Sequence, residues 1–272
     1  MSVMPAASAS AIASALGAPT AAIVPMPARA ALSTSSAPAR PLTHSTPSPT
    51  GPAAPGAAAA RRSAEAYACA DLLLQATPFA PMPAFPHRRA VGLLARSPSS
   101  SGARARASLG LAPEERSCLV AFQPASAPSL ALPPARAGRR FLVPSGWAGH
   151  RERGDVVRLP ADLPFADAIA AADVVLGKPG YGLIGDLEVA GARFLYAPRP
   201  GFPENAVLEA HLSARAGTRA IAPARLASGD WEAELEALES APRPAAMEAG
   251  GCLRAARAIL DLLAVDRRGE SA

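Results

Sequence analysis

The sequence predicts an α/β protein whose C-terminal portion is a doubly wound parallel sheet and whose N-terminal portion is reduced and partly disordered. Three observations carry this. From residue 103 onward, short apolar runs of strand length alternate with stretches of helical period. The helices of that region open on proline and close on glycine, as in "PFADAIAAA" and "PENAVLEAHLSARAG". Before it, residues 26 to about 60 are Pro, Ala, Ser, Thr and Gly without periodicity, with little apolar area to offset the entropy of ordering.

Element by element, "SAIASALGAPTAAIV" (10–24) predicts a helix ending near Gly17 and a short strand after Pro19. Residues 26–62 are expected to be disordered. "SAEAYACADLLLQATPF" (63–79) reads as a helical face followed by a buried strand at Leu72–Leu74, and "MPAFPHRRAVGLLARSP" as an extended, proline-broken connection. Residues 1–95 would then form a remnant N-terminal domain and 103–265 the sheet domain.

Within the latter, "ARARASLGL" (103–111) is a helix finished by Gly110, and "SCLVAF" (117–122) is the first strand. Residues 124–138 have no clear period. Strands follow at 139–145 and 154–160, a helix opened by Pro164 at 164–172, and a strand at 173–177. A helix over about 181–190 capped by Gly191, a strand at 193–198, a helix at 203–217 and the strand "TRAIAP" continue the alternation. Helices at 230–240 and 245–265 complete it. Apolar strands separated by helices make a parallel sheet covered on both faces, with ligands in the loops at strand C-termini.

Composition narrows the function. The net charge is +5, but the arginines are scattered and no aromatic ladder interleaves them, so no nucleic-acid partner is expected. The three cysteines and four histidines form no metal spacing, and neither a metal nor a cofactor is expected. No apolar run reaches bilayer length, and the Ala-rich N-terminus lacks the basic start of a signal peptide, so cytoplasmic placement is the expectation.

The chain has a single lysine among its 27 basic residues, Lys178, in "DVVLGKPGYG". A strand, a glycine loop and a helix start follow one another there. Gly180 and Gly182 let amides approach an anion, and the helix dipole adds positive charge. The spacing is neither that of the P-loop nor G-x-G-x-x-G. An ordinary βα turn is the other reading. Asp186, at i+4 from Gly182, can accept hydrogen bonds from ribose hydroxyls, or simply be an acid favourably near a helix N-terminus. The next loop, "YAPRPGFPEN", brings Arg199 and Glu204 to the same strand ends, as phosphate and sugar ligands or as solvated charges.

"AADVVLGKPGYGLIGDLEVAGARFLYAPRPGFPENAVLEAHL" resembles the donor-binding half of GT-B glycosyltransferases of the MurG and UDP-glycosyltransferase type. It is similar also to the glycosyltransferase-like module of L-arabinokinase-type proteins. Those carry K-x-G-Y-G-T-x-S-E, then A-x-G-x-P and P-R-x-x-F. The resemblance implies two Rossmann-like domains, the C-terminal one binding a UDP-sugar and the other an unknown acceptor whose hydroxyl receives the glycosyl group. It implies donor phosphate contacts from Lys178, Gly180, Tyr181, Gly182 and Arg199, ribose contact from Asp186 and sugar contact from Glu204.

The sequence departs from the pattern at Leu183 and Gly185, where the family has Thr and Ser, at the shortened acid Asp186, and in the glycine-free loop "QPASAPS". The N-terminal domain is short, and no catalytic base can be nominated; His87 and His150 are the nearest histidines. A non-catalytic nucleotide-sugar-binding or partner-binding remnant is therefore the alternative.

Overall fold

The computed structural model describes residues 21–22, 55–122, 130–147, 152–199, 201–202 and 204–269. Its chain divides into two compact units, one of residues 1–75, 81–89 and 261–272, the other of 76–80 and 90–260.

The larger unit is built on a six-stranded sheet. Its strands are β4 (Arg116–Val120), β5 (Arg139–Val143), β6 (Val156–Arg158), β7 (Val174–Gly177), β8 (Arg193–Tyr196) and β9 (Thr218–Ala220). They lie in the order β6-β5-β4-β7-β8-β9, and every neighbouring pair is parallel. The chain moves outward one way from β4 and then returns to start again at β7, so the order reverses between these two central strands. In a doubly wound sheet this reversal opens the crevice at the strands' C-terminal ends.

The alternating side chains sort the core into two layers. Leu119, Leu142, Val175, Phe194 and Tyr196 face one way, against α2 (Gly102–Ser108), α3 (Phe165–Ala171), α4 (Tyr181–Ala190) and α5 (Asn205–Ser213). Cys118, Val120, Phe141, Val143, Val174, Leu176 and Leu195 face the other way, against Leu226 of α6 (Pro223–Ser228) and Leu235 and Leu238 of α7 (Glu232–Ser240). Both faces are apolar, which is why these strands read as unbroken hydrophobic runs. Burial among them pushes the Cys118 thiol well above its usual pKa, leaving it an inert packing residue.

Trp231 anchors the second layer. It is fully buried, meets Phe141 edge to face at 5.8 Å between centroids, and donates its Nε1–H to the Ala131 carbonyl at 2.9 Å. The aperiodic stretch around residue 131 is thus fixed by a tryptophan one hundred residues later.

Polar side chains close the N-terminal ends of the central strands. Arg106 donates to Ser117 Oγ, the Ala171 carbonyl and Asp173 Oδ2 at 3.0, 3.0 and 3.2 Å, and Asp173 Oδ2 also accepts the Ser117 N–H at 2.9 Å. Nearby, the buried Asp167 in the first turn of α3 accepts from Ser99 Oγ and Ser99 N, both at 2.6 Å, and from Ser100 N at 3.2 Å. These donors, the Ser99 hydroxyl foremost, hold its carboxyl below the usual carboxylate range.

In the smaller unit, α1 (Pro55–Ala68) leads to Ala70, Leu73 and Phe85, which are buried together, with Tyr67 stacked on Phe85 at 4.7 Å. A three-stranded sheet orders β1 (Ala21–Ala22), β2 (Leu72–Ala76) and β3 (Arg88–Gly92), with β1 parallel to β2.

The structure corrects several expected bounds. Residues 55–62, expected to be disordered, are the first turns of α1, because the run of alanines and arginines has high helix propensity. The expected helix at 10–17 and the remainder of the stretch from 26 lie outside the described residues. The last helix, α8, spans Gly251–Gly269; Pro242 and Pro244 precede it, and 245–250 are not helical. The short helix α6 was not expected.

Two outcomes are expected from chemical unfolding. Trp231→Phe keeps most of the packing but loses one hydrogen bond, so it should cost about 1–2 kcal/mol in urea, against about 3–5 for Trp231→Ala. The second concerns acid. Because the folded Asp167 carboxyl titrates below its unfolded value, its stabilisation is present above the unfolded value and fades as pH falls through the folded one. The urea midpoint of Asp167→Asn should therefore fall less than that of the parent between about pH 5 and about pH 3. A residual fall is expected from Asp155 and Glu115, whose carboxyls are also held low, by Arg153 and by the Ala112 amide respectively.

Candidate functional site

The C-terminal end of β7 is joined to the start of α4 by three residues, Lys178, Pro179 and Gly180. Gly177 ends the strand in close quarters: a Cβ there would approach Leu183 Cδ2 at 2.9 Å, Ala121 Cβ at 3.3 Å and Phe194 Cε2 at 3.5 Å. Flanking loops are tied to the same strand end, with the Ala121 amide donating to the Leu176 carbonyl and Ala197 to Gly177. Lys178 leaves the sheet at this point, half-exposed, and forms no ion pair among the described residues.

Gly180 is the N-cap of α4, in extended backbone conformation at φ −160°, with no side-chain cap. The first intrahelical bond runs from the Ile184 amide to the Gly180 carbonyl at 2.9 Å. The amides of Tyr181, Gly182 and Leu183 precede it and have no acceptor among the described residues. A Cβ at either Gly180 or Gly182 would meet nothing within 4 Å, so the helix end faces open space. Among the described residues, a helix start without a side-chain cap and a lysine without an ion pair adjoin here, and helix N-termini carry partial positive charge.

Tyr181 is half-buried; burial, and then the charge of Glu204, raise its phenol above the usual tyrosine value. Glu204 precedes α5, and its Oε2 is shut off from solvent without a hydrogen-bond donor among the described residues. Arg199 is held by its loop: its amide donates to Asn205 Oδ1 at 3.2 Å, and its guanidinium lies 3.3 Å from the Phe202 ring centroid. The cation is thus stacked on an aromatic face.

Asp186 is buried, with 6% of its side chain exposed. Its Oδ1 accepts the Arg96 backbone N–H at 2.9 Å and its Oδ2 the Arg96 guanidinium at 3.5 Å. One residue earlier, a Cβ on Gly185 would come within 2.8 Å of the Leu94 carbonyl oxygen. The pair Gly185–Asp186 is therefore a notch in which the segment 94–96 lies against α4.

Of the expected site residues, Lys178, Gly180, Tyr181 and Gly182 are contiguous at the β7–α4 junction, and Glu204 stands close enough to Tyr181 to perturb its phenol. Arg199 faces Phe202, and Asp186 is engaged by Arg96. Arg96 itself gave no signal in the sequence, since its partner lies 90 residues away. The loop 123–129 and His150 lie outside the described residues, and His87 belongs to the smaller unit. Among the described residues no group of three His, Cys, Asp or Glu could hold a metal ion, and no helix is long and apolar enough to cross a membrane.

No protein-family model and no curated protein matches the sequence. Solved structures do resemble it. One is the glycosyltransferase SnogD from Streptomyces nogalater, 15% identical, with 75% of this chain and 62% of that chain covered and a TM-score of 0.43. MurG from Acinetobacter baumannii is 14% identical, with 76% and 57% covered and a TM-score of 0.43. A UDP-glucosyltransferase from Polygonum tinctorium capable of glucosylating indoxyl is 17% identical, with 75% and 56% covered and a TM-score of 0.46. These neighbours are GT-B glycosyltransferases. The chain spans 39%, 50% and 62% of the length of three glycosyltransferases it resembles, those of kitacinnamycin, spinosyn (SpnP) and SnogD.

The notch and the open helix end are separable by two alanine substitutions. Gly185→Ala should cost about 1–3 kcal/mol in urea unfolding, since a backbone carbonyl must move. Gly182→Ala, with free space around it, should be neutral or stabilise by up to about 1 kcal/mol.

Proposed function

We propose that this chain binds a nucleotide-diphosphate sugar, a UDP-sugar by the sequence resemblance, and transfers its glycosyl group to an acceptor hydroxyl. The observation that carries the reading is the uncapped N-terminus of α4 opening beside Lys178, at the point where the strand order reverses. In this reading the amides of Tyr181, Gly182 and Leu183 and the Lys178 ammonium bind the diphosphate. Arg199 adds positive charge from the following loop.

Leaving-group stabilisation is the chemistry such a site supplies. As the bond from the anomeric carbon to the diphosphate oxygen breaks, charge accumulates on that oxygen, and fixed amides and a cation answer it without reorganising. The acceptor hydroxyl attacks the anomeric carbon, and a base receives its proton. No residue is assigned as that base. Glu204, with a carboxylate oxygen that has no donor among the described residues, is assigned to the sugar hydroxyls. Asp186 is assigned to the ribose through Oδ2, its less firmly held oxygen.

The alternative, a remnant that binds the donor without turnover, draws on Leu183 and Gly185, which stand where the resembled motif has Thr and Ser. One titration addresses both. UDP and UDP-sugars should raise the melting temperature, by a stabilisation of about 2.7 kcal/mol at a hundred times Kd. Lys178→Ala should weaken UDP about tenfold, the loss of one charge-assisted contact. Binding accompanied by UDP release from the sugar nucleotide supports the transferase; binding without release supports the remnant. No shift with UDP-, GDP- or dTDP-compounds overturns both.

A further inference from the structure

Resting on the donor-site reading, we infer that Arg96 is a second ribose-positioning residue, forming with Asp186 a two-residue clamp for the vicinal diol. A carboxylate that grips a diol alone needs both oxygens, one for each hydroxyl. In Asp186 the two are held unequally, and Oδ2 is the more available. Its Oδ1 is occupied by the Arg96 backbone N–H at 2.9 Å, a normal bond that also compensates the buried acid. Its Oδ2 faces the Arg96 guanidinium at 3.5 Å, the outer limit for such a bond, and retains capacity for another donor.

The guanidinium is as incompletely used as the oxygen it approaches. Its side chain is 75% exposed, and Asp186 is its only ion-pair partner among the described residues. Acceptor and donor thus stand side by side, one on a buried, rigid acid and the other on an exposed cation. A vicinal diol fits this pair with one hydroxyl donating to Oδ2 and the neighbouring hydroxyl oxygen accepting from the guanidinium. As an ion pair between an exposed arginine and an acid already bonded to backbone, the contact adds little to stability. Its use lies in recognition. The main-chain bond persists in any non-proline residue at 96, so the side chain can be removed without disturbing the acid.

Calorimetric titration of the full chain with UDP, 2′-deoxy-UDP and 3′-deoxy-UDP tests this, using the parent, Arg96→Ala and Arg96→Lys, each first checked for an unchanged urea midpoint. The parent should bind UDP about tenfold more tightly than at least one deoxy nucleotide. Arg96→Ala should bring UDP down to that nucleotide's affinity and leave the deoxy nucleotide's own affinity unchanged, a coupling confined to one hydroxyl. Arg96→Lys should restore part of the difference. Equal weakening of all three nucleotides would mean a general charge effect and overturn the clamp, as would no change. Tighter UDP binding by Arg96→Ala would make the guanidinium an obstruction and overturn it too. Failure of the parent to bind any of the three nucleotides would remove the donor-site reading itself, and the clamp with it.

Discussion

The parallel pairing of β4 with β7, with Cys118 beside Val174 and Val120 beside Leu176, is the constraint on which the rest of the larger unit depends. Two strands that are far apart in sequence can be parallel neighbours only if the chain crosses back between them, and here it does so after building β5 and β6 on the far side of β4. The helices α2 to α5 cover one face of the resulting sheet, and α6 and α7 cover the other. The two ends of the same strand pair are treated differently. At the N-terminal end, Arg106, Ser117 and Asp173 satisfy one another and the local carbonyls. At the C-terminal end, Lys178 leaves the sheet without an ion pair among the described residues, and a helix begins without a cap. One end is closed by its own polar partners, and at the other a half-exposed lysine stands before an uncapped helix start.

That asymmetry explains how much was legible in the sequence. Strands buried on both faces are written as short apolar runs, so "SCLVAF", "DVVLG" and "RFLYAP" located themselves, and Gly191, in the left-handed region at φ +57°, marked the end of α4. The β7–α4 turn was legible for the same local reason. Six-residue α6 has too few turns to show a period, and the first turns of α1, residues 55–62, were hidden because an Ala- and Arg-rich run follows a proline-rich one without a compositional break. The contact between Arg96 and Asp186 belongs to a different category. Nothing in "GLLARSP" announces that its amide will lie against a carboxylate on α4, because the approach is set by tertiary packing.

Leu183, Gly185 and Asp186, where the sequence differs from the motif it resembles, each serve the packing around α4. Leu183 is the side chain that a Cβ on Gly177 would strike, so an apolar residue here lies over the end of β7. Gly185 is small because the Leu94 carbonyl passes within 2.8 Å of where its Cβ would be. Asp186 is reached by the Arg96 amide. Positions 183 and 185 thus serve contacts within the fold.

For the proposed function this relocates the binding interactions without removing them. Backbone amides and a lysine carry no requirement for a hydroxyl at 183 or 185, and the amides of a helix start are fixed before any ligand arrives, at no entropic cost on binding. The same packing that requires glycine at 185 brings Arg96 to the acid. A segment seated closely enough to require glycine at 185 necessarily delivers its next residues to position 186, so the loss of one polar group and the arrival of another are consequences of a single approach. In the proposed reading, the glycine at 185 and the acid–guanidinium pair offered to a diol have one cause, the seating of residues 94–96 against α4.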